Sequence, residues 1–296
     1  MAKDLVVLGN LMVDDLVFGD GTTRMAEPGG AAIYAALGAR LWGLDVGIVS
    51  IAGTDYPEAA LAGMAARGID LEGVHPLGRP GVRLWALYEE RLRQLVHRRE
   101  RPAHAEVSPG FEHIPEGWRE SRAFHISPMP FETQSALVRA LRSKGGALLS
   151  LDPHLPIDSG TWHAWRELLD QVDALFVGQD ELQLAPEEAT LRSLAGGRLR
   201  YVAFKRSSEG GLLFDAASGR CSEWRPRSAG VVDPTGAGDA FACGTLAGLL
   251  RGEPIEIAMR RGLVSTSFVL ESFGPHALLA ATPAAAEARL REWFGA

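Results

Sequence analysis

The stretch GVVDPTGAGDAFACGTLAGLL, residues 230–250, places an aspartate directly after a Gly-Ala-Gly triplet and then continues almost without polar residues. Residues 237–250 have the apolar periodicity of a helix, so the triplet 236–238 lies where a helix start leaves backbone N–H groups without partners. The helix dipole adds partial positive charge there, and missing side chains let an anion come close. The stretch therefore predicts an anion-binding helix start with Asp239 in its first turn.

Asp239 has two interpretations on these residues alone. A carboxylate beside a bound anion can accept the proton of a hydroxyl that attacks the anion, as phosphoryl transfer requires. A carboxylate in the first turn of a helix can also do no more than stabilise the helix dipole. Gly-Ala-Gly-Asp by itself leaves both interpretations open.

Two common nucleotide-binding classes do not fit this stretch. The chain contains no Gly-Lys dipeptide, which excludes a Walker-type phosphate loop. Phe241 stands where the dinucleotide fingerprint needs its third glycine, and Pro234 interrupts any strand that would lead directly into the loop. A nucleotide-dependent oxidoreductase is therefore disfavoured.

The composition indicates a globular protein without nucleic-acid or membrane partners. The chain has 296 residues, of which 46% are hydrophobic and 23% charged, and its net charge is −7, whereas nucleic-acid binding favours a basic face. The two cysteines are too few for a disulfide framework. No apolar window approaches the roughly 20 residues of a membrane span, and no cleavage site follows the first apolar run. We expect a soluble, cytoplasmic protein.

Short apolar runs alternate with longer amphipathic ones, and this rhythm predicts an α/β fold, with a parallel sheet covered by helices on both faces. The predicted strands are Leu5–Leu8, Val46–Ile51, Ala123–Ile126, Ala147–Leu151, Ala174–Val177 and Tyr201–Phe204. The predicted helices are Ala31–Trp42, Glu58–Arg67, Thr133–Ser143, Trp162–Leu169, Ala237–Leu250, Ile255–Glu271 and Pro283–Trp293. No linker long enough to separate domains is present, so we expect one domain over residues 1–296, a three-layer α/β/α sandwich.

Two segments break the rhythm. Residues 15–27 read as a hairpin around Gly-Asp-Gly, and residues 82–99 read as a second pair of strands with alternating polarity. Together they predict a small antiparallel β flap, or lid, on the main sheet.

The string DPTGAGDAF, residues 233–241, resembles the C-terminal signature of the ribokinase-like carbohydrate kinases, also called the phosphofructokinase B family, whose usual form is D-T-T-G-A-G-D-x-F. In that family the last aspartate is the catalytic base and the Gly-Ala-Gly amides form an anion hole. The resemblance therefore implies a three-layer, ribokinase-like kinase that uses ATP and Mg²⁺. It implies these catalytic residues: Asp239, Gly236, Ala237 and Gly238. It also implies a monovalent cation such as K⁺ near Asp233 and Thr235.

Further matches implicate substrate residues near the N-terminus. GNLMVDD, residues 9–15, resembles the family's first-strand motif, and PGGAAIYAALGARLWG, residues 28–43, resembles its Gly-Gly signature. A carboxylate at a strand end suits a vicinal diol, although turn chemistry alone also explains Asp14. The residues implied in substrate binding are Asn10, Asp14, Gly29, Gly30 and Tyr34. Tyr34 stands where the family commonly has asparagine.

The second half of the chain carries the matches for the nucleotide. VGQDEL (177–182) occupies the place of N-x-x-E, VAFKRSSEGG (202–211) that of V-x-x-G-x-x-G, and SFVLESFG (267–274) that of the adenine and cation loop. The residues implied in ATP binding are Glu181, Lys205, Ser207, Gly210, Thr235 and Gly274. Glu181 is also implied in indirect Mg²⁺ binding. Packing of its aliphatic stem explains Lys205 equally well.

Two motifs fall at further strand ends: GTD at 53–55 and LDPHLP at 151–156. With them, the resemblance covers nearly the whole chain and implies phosphorylation of a sugar, a polyol such as inositol, or a nucleoside. A non-catalytic sensor that binds a sugar or nucleotide on the same fold is the alternative. The expected partners are a small hydroxyl substrate and ATP. A homodimer stays open, although the short lid argues against a lid-swapped one.

Overall fold

The computed structural model describes residues 1–89, 92–185, 188–227 and 230–295, so residues 90 and 91 of the expected flap lie outside the described residues. The strands are β1 (Leu5–Leu8), β2 (Met12–Phe18), β3 (Thr23–Gly29), β4 (Val46–Ala52), β5 (Ile69–Pro76), β6 (Arg83–Glu89), β7 (Leu92–His97), β8 (Ala123–Ile126), β9 (Leu148–Leu151), β10 (Ala174–Gly178), β11 (Tyr201–Lys205), β12 (Gly211–Asp215) and β13 (Arg220–Trp224).

The helices carry the labels α1 to α9 over the described residues. They are α1 (Ala31–Arg40), α2 (Glu58–Ala66), α3 (Phe131–Lys144), α4 (Trp162–Leu169), α5 (Glu188–Leu194), α6 (Ala237–Leu250), α7 (Ile255–Val269), α8 (His276–Ala280) and α9 (Pro283–Phe294). Short 3₁₀ turns occupy His104–Val107, Phe111–His113, Glu116–Trp118 and Ser207–Glu209. Among the described residues, none of these helices combines the length and apolar content that crossing a membrane requires.

The main sheet contains nine of the described strands, in the order β13-β12-β11-β10-β9-β8-β1-β4-β5. From β11 to β5 all neighbours are parallel, and β12 and β13 extend the sheet as an antiparallel edge. All six predicted strands are confirmed. The sequence analysis missed β5, β12 and β13. Of these, β5 and β13 are edge strands, which mix polar and apolar residues instead of forming the buried runs of central strands, and β12 lies between β11 and β13.

Both faces of the sheet are covered, which confirms the three-layer sandwich. One core cluster joins Leu5 and Val7 of β1 to α1, α6 and α7, and a second joins Val6 and Leu8 to α3, α4 and α5. Alternate residues of a strand point to opposite faces, so a central strand needs apolar residues at every position. This is why β1 shows an unbroken apolar run.

Helix α6, which the opening stretch predicts, is held from two sides. Its residues from Ala240 to Gly248 are buried. Gly38 of α1 lies against the backbone of Ala240, and Gly262 of α7 lies against Phe241, so neither position has room for a Cβ. Small residues thus let three helices pack closely, and the start of α6 is fixed in place.

The expected flap is a separate sheet in the order β3-β2-β6-β7. The hairpin β2–β3 and the pair β6–β7 are antiparallel, as the sequence predicted for a small antiparallel flap, whereas β2 and β6 run parallel, which was not predicted. The reason is connectivity, because a long crossover through α1, β4, α2 and β5 separates β2 from β6. Met12, Leu16, Leu84, Ala86 and Val107 form a small core beneath the flap.

Candidate active site

The Gly-Ala-Gly loop precedes the first turn of α6, as the sequence predicts. Gly236 caps the helix in the left-handed conformation, with φ 78°. A Cβ on Gly236 would lie 2.1 Å from Cγ of Tyr34, so the Tyr34 ring packs directly against this glycine. Tyr34 is buried, and burial, with the charges of Asp14 and Asp233 adding to it, holds the pKa of its hydroxyl well above the usual value. The tyrosine is therefore an uncharged support for the loop.

Asp233 fastens the same loop to the following segment of the chain. One carboxylate oxygen accepts hydrogen bonds from the backbone N–H of Thr235 (2.9 Å) and from its hydroxyl (2.6 Å). The other oxygen accepts from the N–H of Gly274 (3.0 Å). Asp233 has no solvent exposure, so these three donors compensate a buried carboxylate. They also join the predicted cation loop (residues 267–274) to the predicted anion loop (residues 236–238).

Lys205, at the end of β11, lies beside the anion loop. A Cβ on Gly238 would lie 3.2 Å from its Nζ. The ammonium pairs with Asp152 Oδ2 at 2.6 Å, and both groups are largely buried. Burial lowers the pKa of Lys205, but Asp152, Glu181 and Asp239 outweigh it and raise that pKa, so Lys205 stays cationic.

Asp152 follows the end of β9 and completes an acidic group around Lys205. Its pKa is raised, first by burial and then by Asp239 and Glu181, while Lys205 acts in the opposite direction. Three carboxylates thus surround one ammonium, which leaves an excess of negative charge at the mouth of the anion loop. Such an excess favours the arrival of a further cation.

Glu181 turns back toward the end of β10. Its Oε2 accepts a hydrogen bond from the N–H of Gly178 at 2.9 Å, and a Cβ on Gly178 would lie 2.4 Å from that oxygen. Gly178, which stands where the N-x-x-E motif has asparagine, therefore leaves room for the Glu181 carboxylate.

The neighbours Asp14 and Asp15 of β2 point to opposite faces of the flap. Asp15 is fully buried and pairs with Arg83 (2.7 Å) and Arg98 (2.5 Å), which together with a backbone N–H hold the pKa of its carboxyl below the usual value against the effect of burial. Asp14 is buried against Gly29, where a Cβ would lie 2.0 Å from Asp14 Oδ2. Asp15 is thus structural, and Asp14 is the carboxylate on the face toward the main sheet.

Asn10, which follows β1, is also buried and connects to a loop that the sequence reading did not implicate. A Cβ on Gly30 would lie 2.2 Å from the backbone carbonyl oxygen of Asn10, and Gly30 has φ 88°. Its side-chain amide donates to Ser108 Oγ (3.2 Å), and its side-chain oxygen accepts from His104 Nε2 (3.1 Å). Asn10 therefore orients the loop that carries His104.

These residues form a perimeter at the C-terminal ends of the parallel strands, in which some neighbours are in contact, some adjoin in sequence, and Tyr34 and Asp14 interact electrostatically. It runs through Asp14, Gly29, Gly30, Asn10, His104, His154, Asp152, Lys205, Gly238, Gly236 and Tyr34. Ligands of open α/β sheets bind at this edge. Asp239 is half-buried and within electrostatic range of Lys205 and Asp152, so a further carboxylate lies near the lysine beside the Gly-Ala-Gly backbone.

The chain is similar to known proteins over nearly its whole length. Residues 3–281 match the model of the pfkB family carbohydrate kinases. The chain is 32% identical to the cytidine kinase of Thermococcus kodakarensis over 281 residues, covering 92% of this chain and 97% of that protein. The chain belongs to the pfkB family.

Two further matches give the range of the family. A fructokinase of Klebsiella pneumoniae is 29% identical, covering 82% of this chain and 83% of that protein. A ribokinase II candidate of E. coli, solved in complex with ATP and Mg²⁺, superposes with a TM-score of 0.77 at 18% identity and covers 99% of this chain and 100% of that chain. The ribokinase-like fold is thereby confirmed.

The remaining residues that the sequence implicates in ATP binding lie after β11 and beside the flap. Ser207 is exposed with φ 50°, and Gly210 has φ 86° and no room for a Cβ beside the carbonyl oxygen of Trp224. The hydroxyl of Thr235 lies 2.5 Å from the hydroxyl of Tyr88, and Glu27 Oε2, beside Gly274, lies 2.8 Å from Nε2 of His276. The flap therefore contacts the loop that carries Thr235 and the loop that carries Gly274.

Sequence reasoning missed His104 and the partnership of Asp152 with Lys205. LDPHLP at a strand end was the signal for Asp152, but only the fold shows that β9 and β11 flank β10 and bring the two charges together. No signal marked His104, whose loop lies 94 residues from Asn10.

Proposed function

We propose that this protein is an ATP-dependent kinase that transfers the γ-phosphoryl group to a hydroxyl of a small sugar, polyol or nucleoside. The observation that carries the proposal is the position of Asp239, half-buried in the first turn of α6 beside the amides of residues 236–238 and within electrostatic range of Lys205. That arrangement pairs a base with an anion site, and membership of a kinase family supports it.

In the proposed reaction Asp14 orients the acceptor by accepting hydrogen bonds from its hydroxyls. Asp239 takes the proton of the attacking hydroxyl as its oxygen bonds to the γ-phosphorus and the bond from phosphorus to ADP oxygen breaks. The N–H groups of the anion loop stabilise the charge on the transferred group, and their fixed position means that little reorganisation is needed. Lys205 adds positive charge beside Gly238.

The residues present fit Mg²⁺ held mainly by nucleotide phosphates. No set of three or more His, Cys, Asp or Glu among the described residues is placed to hold a metal by itself. Mg²⁺ commonly uses one or two carboxylates with water and substrate phosphates, and Glu181 and Asp152 supply that number beside Lys205. When bound there, the ion would neutralise charge on the transferred phosphoryl group. The E. coli structure in complex with ATP and Mg²⁺ supports binding of ATP and Mg²⁺ by this protein.

The relatives' names leave both sugar and nucleoside acceptors in the proposal, since one is a cytidine kinase and another a fructokinase. Dependence on K⁺ near Asp233 and Thr235, and a cytoplasmic location, remain predictions.

A coupled ADP-release assay with Mg²⁺-ATP and a panel of sugars, polyols and nucleosides tests the proposal, with and without K⁺. We expect release that depends on one class of acceptor. If ATP and acceptors bind but none of them is phosphorylated, the sensor alternative replaces the kinase.

A further inference from the structure

Three imidazoles meet on the perimeter between the flap and the main sheet. His104 and His154 pack edge to face with ring centroids 4.8 Å apart, and His97 of β7 lies 6.4 Å from His104 with a tilt of 31°. They come from three separate segments: the flap, the loop after it, and the end of β9. The fold therefore assembles an aromatic surface, the histidine wall (His97, His104 and His154).

The histidine wall is open to solvent at two of its three rings. His97 and His154 are exposed and His104 is half-buried. His97 is opposite Leu84 in the β6–β7 ladder, so it shares the flap face that points toward the main sheet. At the other end, His154 is two residues beyond Asp152, within electrostatic range of Glu181. The wall thus extends from the flap to the proposed reaction centre.

Two of the three imidazoles, those of His104 and His154, are uncharged at neutral pH. Burial, together with repulsion from protonated His154 and His97, lowers the pKa of His104 to about 4, and partial burial of the His154 ring lowers its pKa against the opposing effect of Glu181. Neutral imidazoles offer flat faces and ring nitrogens that donate or accept hydrogen bonds. They suit a flat, neutral, heteroaromatic ring.

We propose that the histidine wall binds the base of a nucleoside acceptor, so that the substrate class of this kinase is the nucleosides. This inference rests on the kinase function proposed above. The ribosyl hydroxyls then lie toward Asp14 and Asp239, and the base lies against His97 and His154. A free hexose or inositol has no aromatic ring to place there.

The surrounding charges argue against a sugar phosphate in the same place. Asp152 and Glu181 lie at one end of the wall. Four arginines near the flap are already paired: Arg83 and Arg98 with Asp15, Arg101 with Asp55, and Arg79 with Glu106. An acceptor phosphate beside these groups would therefore meet carboxylates and paired guanidinium groups.

The test compares the wild type with the double variant H97A/H154A, which removes two exposed rings and leaves His104 to hold Asn10. His163→Ala, whose side chain is 93% exposed on α4, is the matched control. For each protein kcat/KM is measured for cytidine, uridine, adenosine, guanosine, ribose, fructose and myo-inositol. We expect the wild type and the control to have their highest kcat/KM with a nucleoside. In the double variant, the kcat/KM for that nucleoside divided by the kcat/KM for ribose should fall about ten-fold or more.

An unchanged ratio in the double variant, or a wild type that phosphorylates sugars but no nucleoside, overturns the inference and leaves the kinase proposal intact. If no acceptor is phosphorylated, the kinase proposal fails, and thermal shift decides the base site separately. Stabilisation of the wild type by a nucleoside, lost in H97A/H154A, supports the wall. Equal stabilisation of both proteins, or none of either, overturns it.

Discussion

At the residue scale, the anion loop depends on one ring and one glycine. The sequence predicted the loop, its helix and the carboxylate that follows, because helix starts and small residues have local signatures. It could not predict that Tyr34 supports Gly236, since α1 and α6 are some 200 positions apart and only the packed helices bring them together. The glycine has two reasons to be there, a positive φ and the lack of room for a Cβ.

Comparing Gly236→Ala with Gly21→Ala distinguishes the effect of the positive φ from the effect of the missing room for a Cβ. Gly21 has φ 86° and no atom within 4 Å of its virtual Cβ, so alanine there meets only the backbone cost, about 1 kcal/mol. At Gly236 the new methyl group also meets the Tyr34 ring. We expect Gly236→Ala to lower the free energy of unfolding in urea by more than Gly21→Ala and to abolish phosphorylation. Equal losses of stability would show that the ring contact is unimportant.

At the element scale, strand ends position the site and a small sheet covers it. Central strands such as β1 and β10 were predictable from unbroken apolar runs. The parallel pairing of β2 with β6 was not, because periodicity indicates that a strand exists but says nothing of which strand it pairs with. The flap's attachment follows from Asp55, which accepts from the N–H of Gly81 (2.7 Å) and pairs with Arg101 (2.6 Å).

Asp55→Ala should loosen the flap, because Gly81 and Arg101 lie at the two ends of the β6–β7 arm. We expect a higher KM for the acceptor, with a smaller effect on kcat, and faster proteolysis between residues 82 and 99. Asp70→Ala is the control, since Asp70 also combines a backbone N–H with an ion pair, to Lys3 at 2.8 Å, but far from the flap. Similar KM values for both variants would mean that Asp55 does not hold the flap.

At the scale of the whole molecule, two core clusters lie on either side of one sheet, and the single domain stays a prediction. Composition and rhythm were enough for the sandwich, because they average over many residues. Buried polar groups were not predictable in this way. His125, in the centre of β8, reads as part of an apolar run, yet its imidazole is fully buried and hydrogen-bonded to Ser150 at 3.0 Å.

His125 should make the fold sensitive to acid. Burial, with Lys205 adding to it, lowers its pKa from 6.5 to about 3, so below pH 6.5 the unfolded chain takes up the proton first. The stability that comes from the neutral ring is complete above pH 6.5 and is lost as the pH falls toward 3, with a slope of up to about 1.4 kcal/mol per pH unit. In urea titrations from pH 7 to 4, we expect His125→Gln to show a shallower fall than the wild type, and His163→Ala to match the wild type. A His125→Gln curve parallel to the wild type would contradict this.

The central claim is that Asp239 is a base and not only a favourable charge at a helix start. Glu58 of α2 offers a matched comparison, because it is an exposed first-turn carboxylate outside the cleft. Neutralising either residue removes a favourable interaction with the helix dipole and should lower the free energy of unfolding by about 0.3–1 kcal/mol. Only Asp239→Asn should affect the chemical step.

The decisive measurement is acceptor-dependent ADP release by Asp239→Asn and Glu58→Gln, together with binding of a non-hydrolysable ATP analogue by calorimetry. We predict that Asp239→Asn loses at least about 100-fold in kcat while it binds the analogue nearly as the wild type does, and that Glu58→Gln retains full turnover. Near-wild-type turnover by Asp239→Asn would contradict the mechanism.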